Sequence, residues 1–420
     1  MIISDLAERN IDLNRIAIGT AAVLSAAVLC GCSSADIPSE TELSYNVISA
    51  EPEDVNAEQT PVIDEIGVEK PIETAFIDYP PEMVTKYGYD QLTDSQKSVY
   101  NKICETMKVC GSSAEIPNID GSEAVCNRLL ELIRTENIAY FHIADRKIAD
   151  NGIANQSFNI NFTYKYAPRE INTMLRETQK AAEAVMDGIT DDMDDYEKLK
   201  YFHDYLVVNC VSDASGRYSD TVYGALVDGK ALCEGYSKAF SYLCNLAGIE
   251  NMIITGNTNT AHMWNMVKTG GNWYHVDVTW DHPDKMITDK YPGTVLYQYF
   301  LVSDAEIKRT REINTALCTP PRATGSVMSY FYHEGMYSDS YEGALNIIEN
   351  GCRDAAENNR QSFSIKLASS ALYDEVVERL SNGTDISDTM ESAGFTGRIS
   401  FTNLYSEDRV LVFLLDYYDN

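Results

Sequence analysis

Positive charge is what this sequence has least of. Its 420 residues carry 33 lysines and arginines against 64 aspartates and glutamates, a formal net charge of −31. A surface of that sign repels phosphodiester backbones and anionic headgroups, so charge-driven binding of nucleic acid is excluded and neutral or basic partners are favoured. Closely paired thiols are lacking too beyond the N-terminal Cys30 and Cys32: the other eight of the 10 cysteines form no CxxC pair or regular framework, which removes the zinc ribbon and the disulfide-dense scaffold. The acidic stretch IDEIGVE lacks the ordered loop of an EF-hand, GKALCEG lacks the second half of a phosphate cradle, and His275 and His282 lack the spacing of a metal pair. No metal or cofactor is therefore expected. No internal repeat is evident, and no apolar run reaches the roughly 20 residues of a membrane span. What is present is core-forming material, 44% apolar and 10% aromatic, enough for more than one packed domain.

The longest uncharged apolar run, IAIGTAAVLSAAVL at 16–29, has the length of a signal peptide and leads into Leu29-Cys30-Gly31-Cys32. That ending resembles the lipobox of bacterial lipoproteins. The resemblance implies removal of the leader, lipidation of Cys32 and an extracytoplasmic protein held to the bacterial cell membrane by its acyl chains. Arg9 and Arg15 are offset by Asp5, Glu8 and Asp12, so the leader is only weakly basic. An uncleaved anchor helix is the alternative, and it also tethers the chain outside the cytoplasm. Residues 33–75 are rich in Glu, Asp, Pro and Ser, with Lys70 the only basic residue. They are expected to form an acidic disordered stalk.

Beyond 1–32 and 33–75, residues 76–210 read as mainly helical. LTDSQKSVYNKICETM carries capping-box spacing from Thr93 to Gln96, and GSEAVCNRLLELIRTE, REINTMLRETQKAAEAVM and DDYEKLKYFHDYLVVN have helical apolar spacing. Between them Phe158, Ile160, Phe162, Tyr164 and Tyr166 alternate as a half-buried strand. Residues 211–322 hold the chemistry. In 323–420, FSIKLAS, ALYDEVVERLSNG, GRISFTNL and RVLVFLLDY read as strand, helix, strand, strand, a small α+β domain.

GKALCEGYSKAF puts a cysteine between a turn and a helix. Tyr236, Ala239, Phe240, Leu243 and Ala247 follow helical spacing, Gly248 is placed to end the helix, and Cys233 extends the stripe by one step. Cys233 thus falls at a helix N-terminus, where unpaired N–H groups and the helix dipole favour a thiolate. A nucleophilic Cys233 must be a free thiol, whereas Cys244, on nearly the same face, is expected to be structural. Gly235 in the first turn costs roughly 1 kcal/mol against alanine, which close approach of a substrate would explain. Glu234 beside the thiol is repulsive unless it points to solvent. Further on, AHMWNMVKTGGNWYHVDVTW reads as a β-hairpin around Gly270-Gly271. A two-residue turn makes His262 and Asp277 diagonal neighbours on one face, and a four-residue loop makes them direct partners. Asp281 and Asp284 are rival carboxylates, but Asp281 falls beyond the strand pairing. Cys233 as nucleophile, His262 as proton carrier and Asp277 as orienter of the imidazole have complementary roles.

The blocks YGALVDGKALCEGYSKAFSYLCNLAGI, HMWNMV and WYHVDVTWD, in that order, resemble the transglutaminase-like superfamily. The resemblance covers about 220–305, and more weakly YEKLKYFHDYL. It implies a papain-like α+β fold, a helix packed on an antiparallel sheet, preceded here by the mainly helical part and followed by the small α+β domain. It also implies a Cys233, His262, Asp277 triad and a thioester route on amide bonds of a peptide, protein or cell-wall substrate. The backbone N–H of Cys233 is one oxyanion donor. The upstream tryptophan of animal transglutaminases has no counterpart, since Trp264, Trp273 and Trp280 all follow the nucleophile, and Tyr223 is the candidate substitute. A catalytically silent peptide- or cell-wall-binding lipoprotein of the same fold is the alternative.

Overall fold

The capping box at Thr93 forms. The Gln96 N–H donates to Thr93 Oγ1 at 3.3 Å and the Thr93 N–H donates to Gln96 Oε1 at 3.1 Å, opening helix α1 (Asp94–Lys108). The structure is a computed structural model that describes residues 77, 79–117, 123–150, 157–382, 385–402 and 405–417. The leader, Cys32 and the acidic segment 33–75 lie outside the described residues. Among the described residues no helix is long and apolar enough to cross a membrane.

Helix α1 is followed by β1 (Ser113–Pro117), α2 (Glu123–Glu136), β2 (Ile143–Asp150) and β3 (Ser157–Tyr164). The strands form an antiparallel sheet of order β1-β3-β2. Only β3 shows the alternation that marks a strand in sequence. β1 is short and ends in Pro117, and β2 carries Asp145, Arg146, Lys147 and Asp150, so neither announces itself. Both are recruited by β3, whose Ile160 lies opposite Ala114 on one side and Ile148 on the other. Val99, Ile103, Leu129, Ile133 and Ile160 form the core beneath.

The central unit contains α3 (Pro168–Met186), α4 (Asp195–Asn209) and α5 (Cys233–Leu246). Its sheet is built from β4 (Asn251–Asn257), β5 (Ala261–Thr269), β6 (Asn272–Val276), β7 (Phe300–Val302) and β8 (Glu312–Ile313). The order is β8-β4-β5-β6-β7, antiparallel throughout. Tyr236, Ala239, Phe240 and Leu243 of α5 are wholly buried, as the stripe predicts. Ser237, Lys238, Ser241, Tyr242 and Cys244 are buried as well. α5 therefore runs through the centre, covered by α4 and the Pro81–Met83 turn on the side away from the sheet, rather than lying with one face to water. Its polar residues are satisfied in place: Ser241 Oγ donates to Asn251 Oδ1 at 2.6 Å. The helix ends in a Schellman arrangement, with the Gly248 N–H on Asn245 O and the Ile249 N–H on Cys244 O.

The last unit has β9 (Tyr337–Ser338), α6 (Tyr341–Glu357), β10 (Ser362–Leu367), α7 (Ser370–Asn382), β11 (Gly397–Thr402) and β12 (Val410–Tyr417), with sheet order β9-β10-β12-β11. Leu411, Phe413 and Leu415 pack with the residues of α6 and α7, whereas Val410, Val412 and Leu414 join the central core. Burial on both faces explains why VLVFLL is apolar without alternation. Helices and mainly antiparallel sheets make the chain α+β.

Candidate active site

The β5–β6 turn decides where the imidazole sits. Gly270 and Gly271 both have positive φ, +56° and +78°, so they close a two-residue hairpin with Thr269 opposite Asn272 and Asn265 opposite Val276. That register makes His262 and Asp277 diagonal neighbours. His262 Nε2 lies 2.8 Å from Asp277 Oδ2, with both side chains buried. The carboxylate fixes the ring and leaves Nδ1 to exchange a proton with a thiol.

Cys233 is the first residue of α5, with Leu232 as N-cap. It lines a cleft of roughly 220 Å³ together with His262, Arg134, Glu234 and Asn257. Asn265 Nδ2 donates to Ser237 O at 2.9 Å, which ties β5 to α5 one turn from the cysteine. Cys104, Cys110, Cys126, Cys210, Cys244, Cys318 and Cys352 are free thiols. Burial pushes the Cys244 thiol well above the ordinary range, as suits a structural core cysteine.

Asp277 has a second partner that the sequence did not reveal. Arg311 donates to the same Oδ2 through Nη2 at 2.6 Å and Nε at 2.9 Å, and the Trp280 N–H donates to Oδ1 at 3.3 Å. Burial pulls the carboxyl up, but the charges of His262 and Arg311 outweigh it and hold Asp277 at about 2. The guanidinium lies 3.8 Å from the Tyr299 ring centre and 5.0 Å from that of Trp280. In sequence Arg311 is one charged residue among several in IKRTREIN, and nothing marks it as the buried one.

The rival carboxylates are engaged elsewhere. Asp281 takes His203 Nε2 at 3.1 Å and the Tyr299 N–H at 3.0 Å. Burial pushes it up to about 6. Asp284 is exposed at the start of a short helix, Lys285–Thr288. His275 is bonded to Trp264 and Asp304, and His282 to the Pro283 carbonyl. Among the described residues no group of acidic, histidine and cysteine side chains could hold a metal.

Two site expectations need correction and a third is refined. A Cβ on Gly235 would lie 2.5 Å from Ser219 O and 3.0 Å from Thr221 O, so the glycine makes room for the chain's own 219–221 loop and not for a substrate. Tyr223 is not brought to the cleft: its hydroxyl donates to Glu177 and its ring packs edge-on against Tyr218. Glu234 avoids repelling the sulfur by pairing with Arg134 and Lys238 rather than by facing water.

A cysteine on the first turn of a central helix, with a histidine and aspartate on an adjoining antiparallel hairpin, defines the class of papain-like cysteine folds. Residues 180–278 match the model of the transglutaminase-like superfamily, and this segment spans Cys233, His262 and Asp277. Kyphoscoliosis peptidase of Homo sapiens is 31% identical over 147 residues, which is 29% of this chain and 22% of that protein. The chain thus spans about a fifth of that relative. Among solved structures, a TGase matches at 15% identity and a TM-score of 0.24, over 40% of this chain and 50% of the other. A candidate cysteine protease from Cytophaga hutchinsonii matches at 15% identity and 0.22, over 33% and 66%.

Proposed function

We propose that the reduced protein is a cysteine-dependent enzyme acting on amide bonds of peptides, proteins or cell-wall crosslinks through a thioester. The observation that carries this reading is His262, held by Asp277 behind it, in the wall of the cleft that Cys233 also lines. The Cys233 thiol gives its proton to His262 Nδ1, and the thiolate adds to the amide carbonyl carbon. Collapse of the tetrahedral adduct breaks the C–N bond, and the imidazolium returns the proton to the departing amine. Water or a second amine then attacks the thioester, giving the acid or a new amide and restoring the thiol. Asp277, kept ionised by Arg311, stabilises the imidazolium between the two proton transfers.

The test is alkylation of the reduced full chain with iodoacetamide at neutral pH, followed by peptide mapping. Cys233 should be modified well ahead of the other cysteines. Equal labelling of all thiols would remove the case for a nucleophile. Amine incorporation compared with hydrolysis on one glutamine peptide then separates acyl transfer from peptidase or amidase action.

A second reading, a silent peptide- or cell-wall-binding protein, is supported by the N-terminal and C-terminal units, which add large surfaces beyond the central one. It predicts peptide binding that survives Cys233→Ala, with no turnover under reducing conditions. In either reading we place the protein outside the cytoplasm, anchored through Cys32. Incorporation of a labelled fatty acid that is lost in Cys32→Ser tests the anchor.

A further inference from the structure

Glu234 directly follows the candidate nucleophile, and its carboxylate is spanned by cations from two units of the fold. Arg134 Nη1, on α2, donates to Glu234 Oε2 at 2.6 Å, and Lys238 Nζ, one turn along α5, donates to Oε1 at 2.7 Å. Arg134 also donates through Nε to Glu131 Oε2 at 3.0 Å, and Glu131 Oε1 takes Arg146. Glu131, Arg134 and Glu234 line the same cleft as Cys233 and His262. The other charges around it are balanced: Lys165 is paired with Asp220 at 3.0 Å, and Asp277, behind His262, with Arg311. Arg134, Arg146 and Lys238 against Glu131 and Glu234 therefore leave one net positive charge beside the sulfur, in a chain whose total is −31. Arg134 is largely enclosed, with 23% of its side chain exposed, so the charge is only partly screened by solvent.

We propose that Arg134 is a positioning residue for the reaction above: from the N-terminal unit it neutralises Glu234 and so sets the pH at which Cys233 becomes a thiolate. The inference rests on the reading of Cys233 as a nucleophile. A cation near a thiol favours the ionised form, and an anion opposes it. Without Arg134 the cluster is neutral and Glu234 keeps only Lys238. Without the Glu234 carboxylate the cluster gains a second net positive charge. The two changes act on the thiol in opposite directions, which a purely structural role of either residue does not.

The experiment is the pH dependence of iodoacetamide alkylation at Cys233 in the reduced full chain, read by peptide mass spectrometry. Arg134→Met should raise the midpoint by about half a pH unit or more, and Glu234→Gln should lower it by a similar amount. Arg134→Lys, which keeps the charge, should stay close to wild type, and the double variant Arg134→Met/Glu234→Gln should return toward it. Unchanged midpoints in Arg134→Met and Glu234→Gln, or equal shifts in Arg134→Met and Arg134→Lys, overturn the proposal. Should Arg134→Met fail to fold, Glu234→Gln and Arg134→Lys still decide it. A wild-type Cys233 that reacts no faster than the other thiols instead defeats the functional reading on which the proposal rests.

Discussion

His262 Nε2 stands 2.8 Å from Asp277 Oδ2, and Arg311 holds that same oxygen from the other side. The carboxylate is fixed between two donors and cannot swing away, so the imidazole it holds has a defined edge toward the cleft. Removing the ring should leave binding and the thiol but not the proton carrier. His262→Ala is expected to lower the rate of thioester formation by about 10²–10⁴-fold, the range of general acid–base catalysis. Single-turnover acylation by a peptide amide measures this, and alkylation of Cys233 above its own pKa should persist as the control.

Asp277 makes the same point through pH. Its carboxyl falls from the ordinary 3.8 to about 2, so the folded state releases this proton more readily than the unfolded chain. The sign follows: its contribution is present in full above pH 3.8 and is lost as pH falls from there through about 2. The contribution at neutral pH is about 2 kcal/mol. Urea unfolding of wild type and Asp277→Asn between pH 2 and 6 should show a stability gap that narrows toward the acid end. A gap constant over that range removes the argument.

Why the pair was legible and its partner was not follows from the range of each constraint. Strand alternation and a Gly-Gly turn fix register locally, so His262 and Asp277 meet by the geometry of a single hairpin. The stripe around Tyr236 and Phe240 likewise gave α5 and its start at Cys233. Arg311 reaches Asp277 from a turn 34 residues further on, and no local period encodes that. Strands β1 and β2 were hidden for the same reason, since they depend on β3 for their apolar partners. Tyr223 shows the opposite failure: offered as the substitute for an upstream tryptophan that the sequence lacks, it has its ring turned toward Tyr218 and α3 instead.

Arg311 also tests how much the buried ion pair supports the fold. Its side chain and that of Asp277 are both fully enclosed. Removing one partner of such a pair strands the other and costs about 3–5 kcal/mol. Arg311→Met should therefore lose stability in that range by urea unfolding, whereas Arg311→Met/Asp277→Leu should recover part of it. No recovery in the double variant means that the loss lay in packing against Tyr299 and Trp280.

Gly235 gives a prediction that separates structure from substrate contact. An alanine methyl there meets the Ser219 and Thr221 carbonyls at 2.5 and 3.0 Å, backbone atoms that cannot move without shifting the loop that leads into Cys233. Overpacking of this kind costs about 1–3 kcal/mol. Gly235→Ala should unfold at lower urea even with no ligand present. If the variant is as stable as wild type and only its peptide affinity falls, Gly235 lies against substrate after all.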